Sequence, residues 1–210
     1  ETPDQLKEKN LDVKKQEEAF NFLKDKSVIY YLIYWCYKFF MSSKKLNIAV
    51  AGATGFVGTA IIDSLLKKYS VRGLTRSEGK ISQATKNDPV EWTYCDVHSS
   101  DSVNSALKDV DCLIYLIHSM VPSSRLTQAS FQDLDVLIAD QFAKSASLNN
   151  VKQIIYISGL MPSDFETGKT SKHLQSRYEV EKTLETSVAS LTTLRCGVIV
   201  GPGGSSLKIL

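Results

Sequence analysis

The sequence predicts an α/β protein built on a doubly wound parallel sheet. Three observations carry that expectation. Short Val- and Ile-rich runs alternate with longer stretches at helical spacing from Leu46 onward. The segment Leu46–Gly58, LNIAVAGATGFVG, sets a glycine-rich turn between the first apolar run and the first apolar helix. Six such β-units with helical crossovers and no internal repeat leave a parallel sheet with helices on both faces as the architecture. The pattern stops at Gly203–Leu210, which reads as the start of another helix, so the sheet domain is expected to be C-terminally truncated.

Ile48 and Val50 mark a buried first strand beginning near Leu46. Phe56, Val57, Ile61, Ile62, Leu65 and Leu66 then recur at helical spacing, with a helix expected over Thr59–Tyr69. The second strand reads as Val71–Thr75, the third as Val90–Tyr94, the fourth as Asp111–Ile117, the fifth as Gln153–Ser158 and the sixth as Thr192–Val200. Further helices are expected at Ser99–Lys108, Thr127–Leu148 and Ser171–Ser190. In Thr127–Leu148 an apolar stripe of Phe131, Leu134, Leu137, Ile138, Phe142 and Ala146 reads as core.

The first 41 residues differ in character and form an N-terminal helical and apolar extension. Glu1–Lys26 is charged and helix-favouring, and Val28–Met41 (VIYYLIYWCYKFFM) is an apolar burst interrupted by Lys38. The burst is shorter than the ~20 apolar residues that span a bilayer, and it lacks a small-residue cleavage site. Two accounts stand open. One is a membrane-surface anchor, since Tyr and Trp favour that interface. The other is translated upstream sequence, with Met41-Ser42-Ser43-Lys44-Lys45 as a natural start and residues 42–210 as the nucleotide-binding domain. On either account Glu1–Phe40 is expected to add nothing to cofactor binding. A net charge of +2 over 210 residues gives no general attraction to nucleic acid. The four cysteines show no CxxC spacing and the three histidines no ligand spacing, which suits buried thiols in a reducing cytoplasm and no metal site.

Gly52, Gly55 and Gly58 follow GxxGxxG. The first glycine suits a tight turn, the second lets a pyrophosphate reach backbone N–H groups at a helix N-terminus, and the third allows close helix–sheet packing. A dinucleotide is the expected ligand, with Gly52, Thr54, Gly55, Phe56, Val57 and Gly58 around the pyrophosphate. After the second strand comes Thr75-Arg76-Ser77, where an NAD site ordinarily carries an acid for the ribose 2′-hydroxyl. Arg76, with Arg72 nearby, favours NADP over NAD through a 2′-phosphate contact; a solvated surface arginine is the plain alternative. Asp96, after the third strand, accepts from the adenine amino group while Val97 packs on the ring, or it caps the next helix.

His118 follows the fourth strand and Ser158 ends the fifth, where nicotinamide and substrate would meet. His118 reads as an acid–base group or as a structural histidine, and Ser158 as a carbonyl donor or as a turn before Gly159. Tyr178-Glu179-Val180-Glu181-Lys182 has the YxxxK spacing, one helical turn between phenol and ammonium. Tyr34 and Lys38 match it too, so only position singles out Tyr178 and Lys182.

Met41–Leu210 resembles the atypical short-chain dehydrogenase/reductases with an NmrA-like NAD(P)H-binding Rossmann domain, in a bacterial subgroup that often carries a further C-terminal domain. The resemblance rests on AGATGFVG, GLTRS, YLIHSM, IIYISGL, SKHLQSRYEVEKTL and TLRCGVIVGPGGSSLKIL. It implies the fold and the cofactor more strongly than a reaction. It also implies that Arg177 and His173 matter as much as Tyr178, through an anionic group. The expected function is an NADP-dependent oxidoreductase acting on a small carbonyl or alcohol. Tyr178 would be its acid, Lys182 the modulator and Ser158 the carbonyl donor, with His118 as the substitute proton donor. The alternative is a non-catalytic NADP(H) sensor that regulates a protein partner. Neither reading calls for nucleic acid, and membrane contact depends on the extension.

Overall fold

The computed structural model describes residues 45–85, 87–118, 131–161 and 171–201, without the side chains of Phe131 and Gln132. The expectations for residues 1–41, for Ser119–Thr127 and for the C-terminal run from Pro202 fall outside these residues.

Six strands form one sheet: β1 (Asn47–Ala51), β2 (Ser70–Thr75), β3 (Val90–Tyr94), β4 (Cys112–Tyr115), β5 (Gln153–Gly159) and β6 (Ser190–Cys196). Their order is β3-β2-β1-β4-β5-β6, and every neighbouring pair is parallel. The helices between them are α1 (Phe56–Leu66), α2 (Glu78–Gln83), α3 (Ser100–Ala106), α4 (Phe131–Leu148) and α5 (Lys172–Leu184). This is the doubly wound parallel sheet expected. The order reverses between β1 and β4, and such sheets bind ligands outside the carboxyl ends of the strands at that reversal.

Several boundaries differ from expectation. α1 begins three residues early, because Gly55 takes the N-cap position with extended dihedrals. β4 is confined to its four fully buried residues. β6 stops at Cys196, and the apolar run Val198–Val200 is exposed beyond it. α2 was not expected; it is short and buries no residue, and Ser77 caps it by accepting from Lys80 N. Ser99 caps α3 and Ser171 caps α5 in the same way, each worth roughly 1 kcal/mol.

The central strands are buried on both faces, and their residues join Val103, Leu107, Ile138, Phe142 and Leu184 in one core. Tyr115 meets Phe142 edge-to-face at 5.3 Å and Tyr156 at 5.9 Å. The buried stripe of α4 departs from expectation in two places. Leu137 is exposed, and Asp135 is buried in its stead. At the other side of the sheet, Trp92 of β3 lies against Gly73 of β2, where a Cβ would come within 2.6 Å of the indole. Lys80 of α2 covers the same ring at 4.7 Å, a cation–π contact that seats α2 on the sheet.

Candidate cofactor and active site

The glycine turn leaves β1 at the point of reversal. Gly52 has φ +90°, a conformation that side chains rarely adopt, and its N–H neighbour Gly55 closes the turn by donating to Gly52 O at 3.0 Å. Leu116, just past β4, backs Gly52 so closely that a Cβ there would lie 3.1 Å from the leucine Cβ. At Gly58 a Cβ would lie 2.3 Å from Gly52 O, so this glycine brings α1 down onto the turn. Gly55 is different. Its φ of −77° is open to any residue, and a Cβ would meet only Gly52 O, at 3.2 Å.

No side chain caps α1, and no acidic residue stands in its first turn. The first N–H groups of an α-helix lack intrahelical acceptors and carry the positive end of its dipole. An exposed Gly55 therefore opens onto uncapped donors that a pyrophosphate would satisfy, with exposed Thr54 and half-buried Phe56 and Val57 beside them. The cradle fits a dinucleotide.

On the β2–β3 side, Arg76 is exposed directly after β2, with no side-chain partner among the described residues. Thr75 Oγ1 accepts from Ser77 N at 3.1 Å and holds the bend that presents it. Arg72 does not lie nearby. Its guanidinium pairs with Glu91 of β3 at 2.9 Å and donates to the carbonyls of Ala106 and Lys108, toward the amino-terminal ends of the strands. Asp96 follows β3 as expected, but Ser99, not Asp96, caps α3. One Asp96 oxygen accepts from His98 N at 3.1 Å, and Val97 packs on the protein core.

The β4–β5 side is built from side chains. Tyr115, Asp135, Tyr156, Ser158, Ser176 and Arg177 are all at least nine-tenths buried where α4 and α5 meet the ends of β4 and β5. Arg177 donates to Ile157 O and stacks its guanidinium 4.9 Å from the Tyr156 ring centroid. Tyr156 donates to Arg177 O at 3.2 Å, and Ser176 Oγ reaches Asp135 at 3.4 Å. Burial pushes the Tyr156 phenol up to about 12, with Arg177 opposing the rise, and it pushes Tyr115 well above the ordinary tyrosine range. The Ser158 hydroxyl lies close enough to Tyr156 to temper its shift, yet Ser158 Oγ, like the Tyr115 hydroxyl, makes no hydrogen bond of normal geometry among the described residues.

Tyr178 and Lys182 sit on another flank of α5. The buried face of that helix is Ser176, Arg177, Val180, Glu181 and Leu184. Lys182 is exposed and pairs with Glu185 at 2.9 Å, a contact that raises its pKa, and its ammonium lies 5.5 Å from the Tyr178 ring centroid. Tyr178 shares the field of Arg195, which pairs with buried Glu181 at 2.8 Å toward β6. Ser158 is thus brought to Tyr156. The rings of His118 and His173 meet instead, edge-to-face at 6.4 Å. The His173 pKa is lowered by burial first, then by Arg177 and His118.

No helix among the described residues is long and apolar enough to cross a membrane, and no three acidic, His or Cys groups there are placed to hold a metal. A family model described as NAD(P)H-binding matches residues 52–208. Auxiliary protein GraX of Staphylococcus aureus is 30% identical over 117 residues, 55% of this chain and 37% of that protein. The NADPH-dependent quinone oxidoreductase of Escherichia coli, solved with NADPH, is 26% identical with a TM-score of 0.53, over 70% of this chain and 48% of that one. The Bordetella bronchiseptica enzyme WbmH, solved with NAD+, reaches a TM-score of 0.60 at 18% identity, over 77% and 60% of the two chains. The chain spans little more than a third of the curated relatives it matches.

Proposed function

This chain belongs to the NAD(P)H-binding family, and on that premise we propose that it is an NADP(H)-dependent oxidoreductase acting on a small carbonyl or alcohol. The observation that carries the reading is the uncapped first turn of α1 behind open Gly55, with exposed Arg76 at the end of the adjoining strand. Gly52, Thr54, Gly55, Phe56, Val57 and Gly58 hold the pyrophosphate, Arg76 the 2′-phosphate and Asp96 the adenine amino group. The nicotinamide, when bound, supplies or accepts the hydride at the ends of β4 and β5. The protein's own part there is to orient the substrate and handle a proton. The likeness to a quinone oxidoreductase solved with NADPH supports the same choice of cofactor.

Calorimetry with NADPH and NADH tests the cofactor, and turnover of NADPH against a panel of quinones, aldehydes and ketones tests the reaction. Binding of NADPH at least 10-fold tighter than NADH is the expected result. Equal affinity overturns the choice of NADP. A second reading, a cofactor-bound regulator of a protein partner, draws on the likeness to an auxiliary protein. Tight NADPH binding with no turnover across the panel selects it.

A further inference from the structure

We propose that His173, with Arg177 one turn along α5 and His118 beyond β4 as its neighbours, exchanges the proton at the nicotinamide end of the crevice, in place of Tyr178 and Lys182. The proposal rests on the cofactor reading above and concerns which side chains serve it. Three observations carry it. The first is helix phase: residues four apart share a face, and Arg177 is on the buried face of α5, so His173, exposed in the first turn, stands on that same flank one turn before it. The second is the imidazole pair itself, His118 just past β4 meeting His173 in the first turn of α5 at 6.4 Å, next to the strand at which the order reverses. The third is the fate of the rival pair: the Lys182 ammonium is held by Glu185 at 2.9 Å.

Arg177 is a positioning residue. Its guanidinium is committed to Ile157 O and the Tyr156 ring, so it is not offered to a substrate anion. It acts as a fixed positive charge under His173, the role that a lysine one turn from a tyrosine fills in a YxxxK pair. The charged and titratable groups facing His173 are Arg177 on its own helix, His118 past β4 and Asp135 on α4; the first two favour the neutral imidazole and the third opposes them. In the reductive direction the carbonyl carbon gains a hydride from the dihydronicotinamide, and the carbonyl π pair moves to oxygen. That oxygen takes the proton from the His173 imidazolium, and solvent returns a proton to the exposed imidazole. In the oxidative direction neutral His173 takes the alcohol proton.

The experiment follows the imidazole and tyrosine signals by NMR across pH on the full chain, alone and with NADP+ or NADPH. Oxidised nicotinamide carries a positive ring, so His173 is expected to titrate lower with NADP+ than with NADPH, while the Tyr178 signal stays in place. Arg177→Met raises the His173 titration and Arg177→Lys restores it; should Arg177→Met fail to fold, Arg177→Lys and the cofactor comparison still decide. His173→Gln lowers turnover at least 100-fold with NADPH affinity unchanged, and Tyr178→Phe keeps turnover within about threefold. A His173 signal indifferent to cofactor oxidation state, or full turnover in His173→Gln, overturns the proposal. If NADPH does not bind at all, the cofactor reading falls and the proposal with it. If NADPH binds, His173 responds and nothing turns over, the regulator reading replaces the enzyme and the proton-exchange role of His173 falls, leaving the imidazole only as a neighbour of the bound nicotinamide.

Discussion

The glycine turn after β1 offers a surface of main chain, and the region where α4 and α5 meet the ends of β4 and β5 is built of side chains. The first side is fixed by one left-handed glycine, one glycine where any Cβ would overlap the turn, and a helix start left without a side-chain cap. The second is a buried set of two tyrosines, two serines, an aspartate and an arginine, capped by two histidines. A main-chain surface tolerates almost any neighbour but no Cβ. A side-chain surface tolerates conservative exchange but depends on which helix face turns inward. The two halves therefore break differently.

The largest effect belongs to Gly58. Gly58→Ala sets a methyl 2.3 Å from Gly52 O and under 3 Å from Ala53 backbone, and none of those atoms can swing aside. A loss of about 3 kcal/mol of stability is expected, read from denaturant melts, so this variant probes folding and not binding. Gly55→Asp separates the two. Its dihedrals suit any residue and an N-cap aspartate stabilises a helix by about 1 kcal/mol, against a Cβ contact of 3.2 Å with Gly52 O, so the melt should move far less than for Gly58→Ala. The same carboxylate repels a pyrophosphate, and NADPH affinity should drop on the order of 100-fold by calorimetry. A variant that binds NADPH normally would remove α1 from the site. Arg76→Ala comes next, with NADPH weakened by 1–2 kcal/mol, about 10-fold, and NADH unchanged. On the side-chain half, Tyr115→Phe removes a buried hydroxyl that has no hydrogen-bond partner among the described residues, and stability should stay level or rise by up to about 1 kcal/mol. Tyr156→Phe loses the bond to Arg177 O and should cost about 1 kcal/mol; equal outcomes for the two would mean that the Tyr115 hydroxyl is satisfied in solution.

The same division governs what the sequence revealed. Gly52, Gly55 and Gly58 announce their jobs, because backbone geometry restricts residue type directly. Strands buried on both faces announce themselves as apolar runs, and β3 falls at its expected bounds. The tail Val198–Val200 misled because an apolar run after a strand looks like more strand, although Gly197 intervenes and the run is exposed. α2 escaped because it buries nothing, with Ser77 as its sole signal. Arg72 misled because spacing cannot say which end of a strand a long side chain reaches. The face of α5 was the hardest to read. Its buried positions include Ser176, Arg177 and Glu181, so no apolar stripe marks the inward side, and the YxxxK spacing drew attention to a flank. The spacing of His173, Arg177 and Glu181, each four apart and leading to Val180 and Leu184, was the available clue.

Trp92 gives the adenine side an optical readout of its own. The chain has two tryptophans, Trp35 and Trp92, so a Trp35→Phe variant would leave a single emitter. That indole rests on Gly73 and under the ammonium of Lys80, and Lys80 belongs to the helix that starts two residues after Arg76. A 2′-phosphate drawing Arg76 toward it would tug on the bend at Ser77 and change the distance between ammonium and indole. Emission from Trp92 should then report the phosphate that distinguishes NADPH from NADH without any added dye. The comparison that separates the cofactors could be followed in a cuvette at micromolar protein, by light alone.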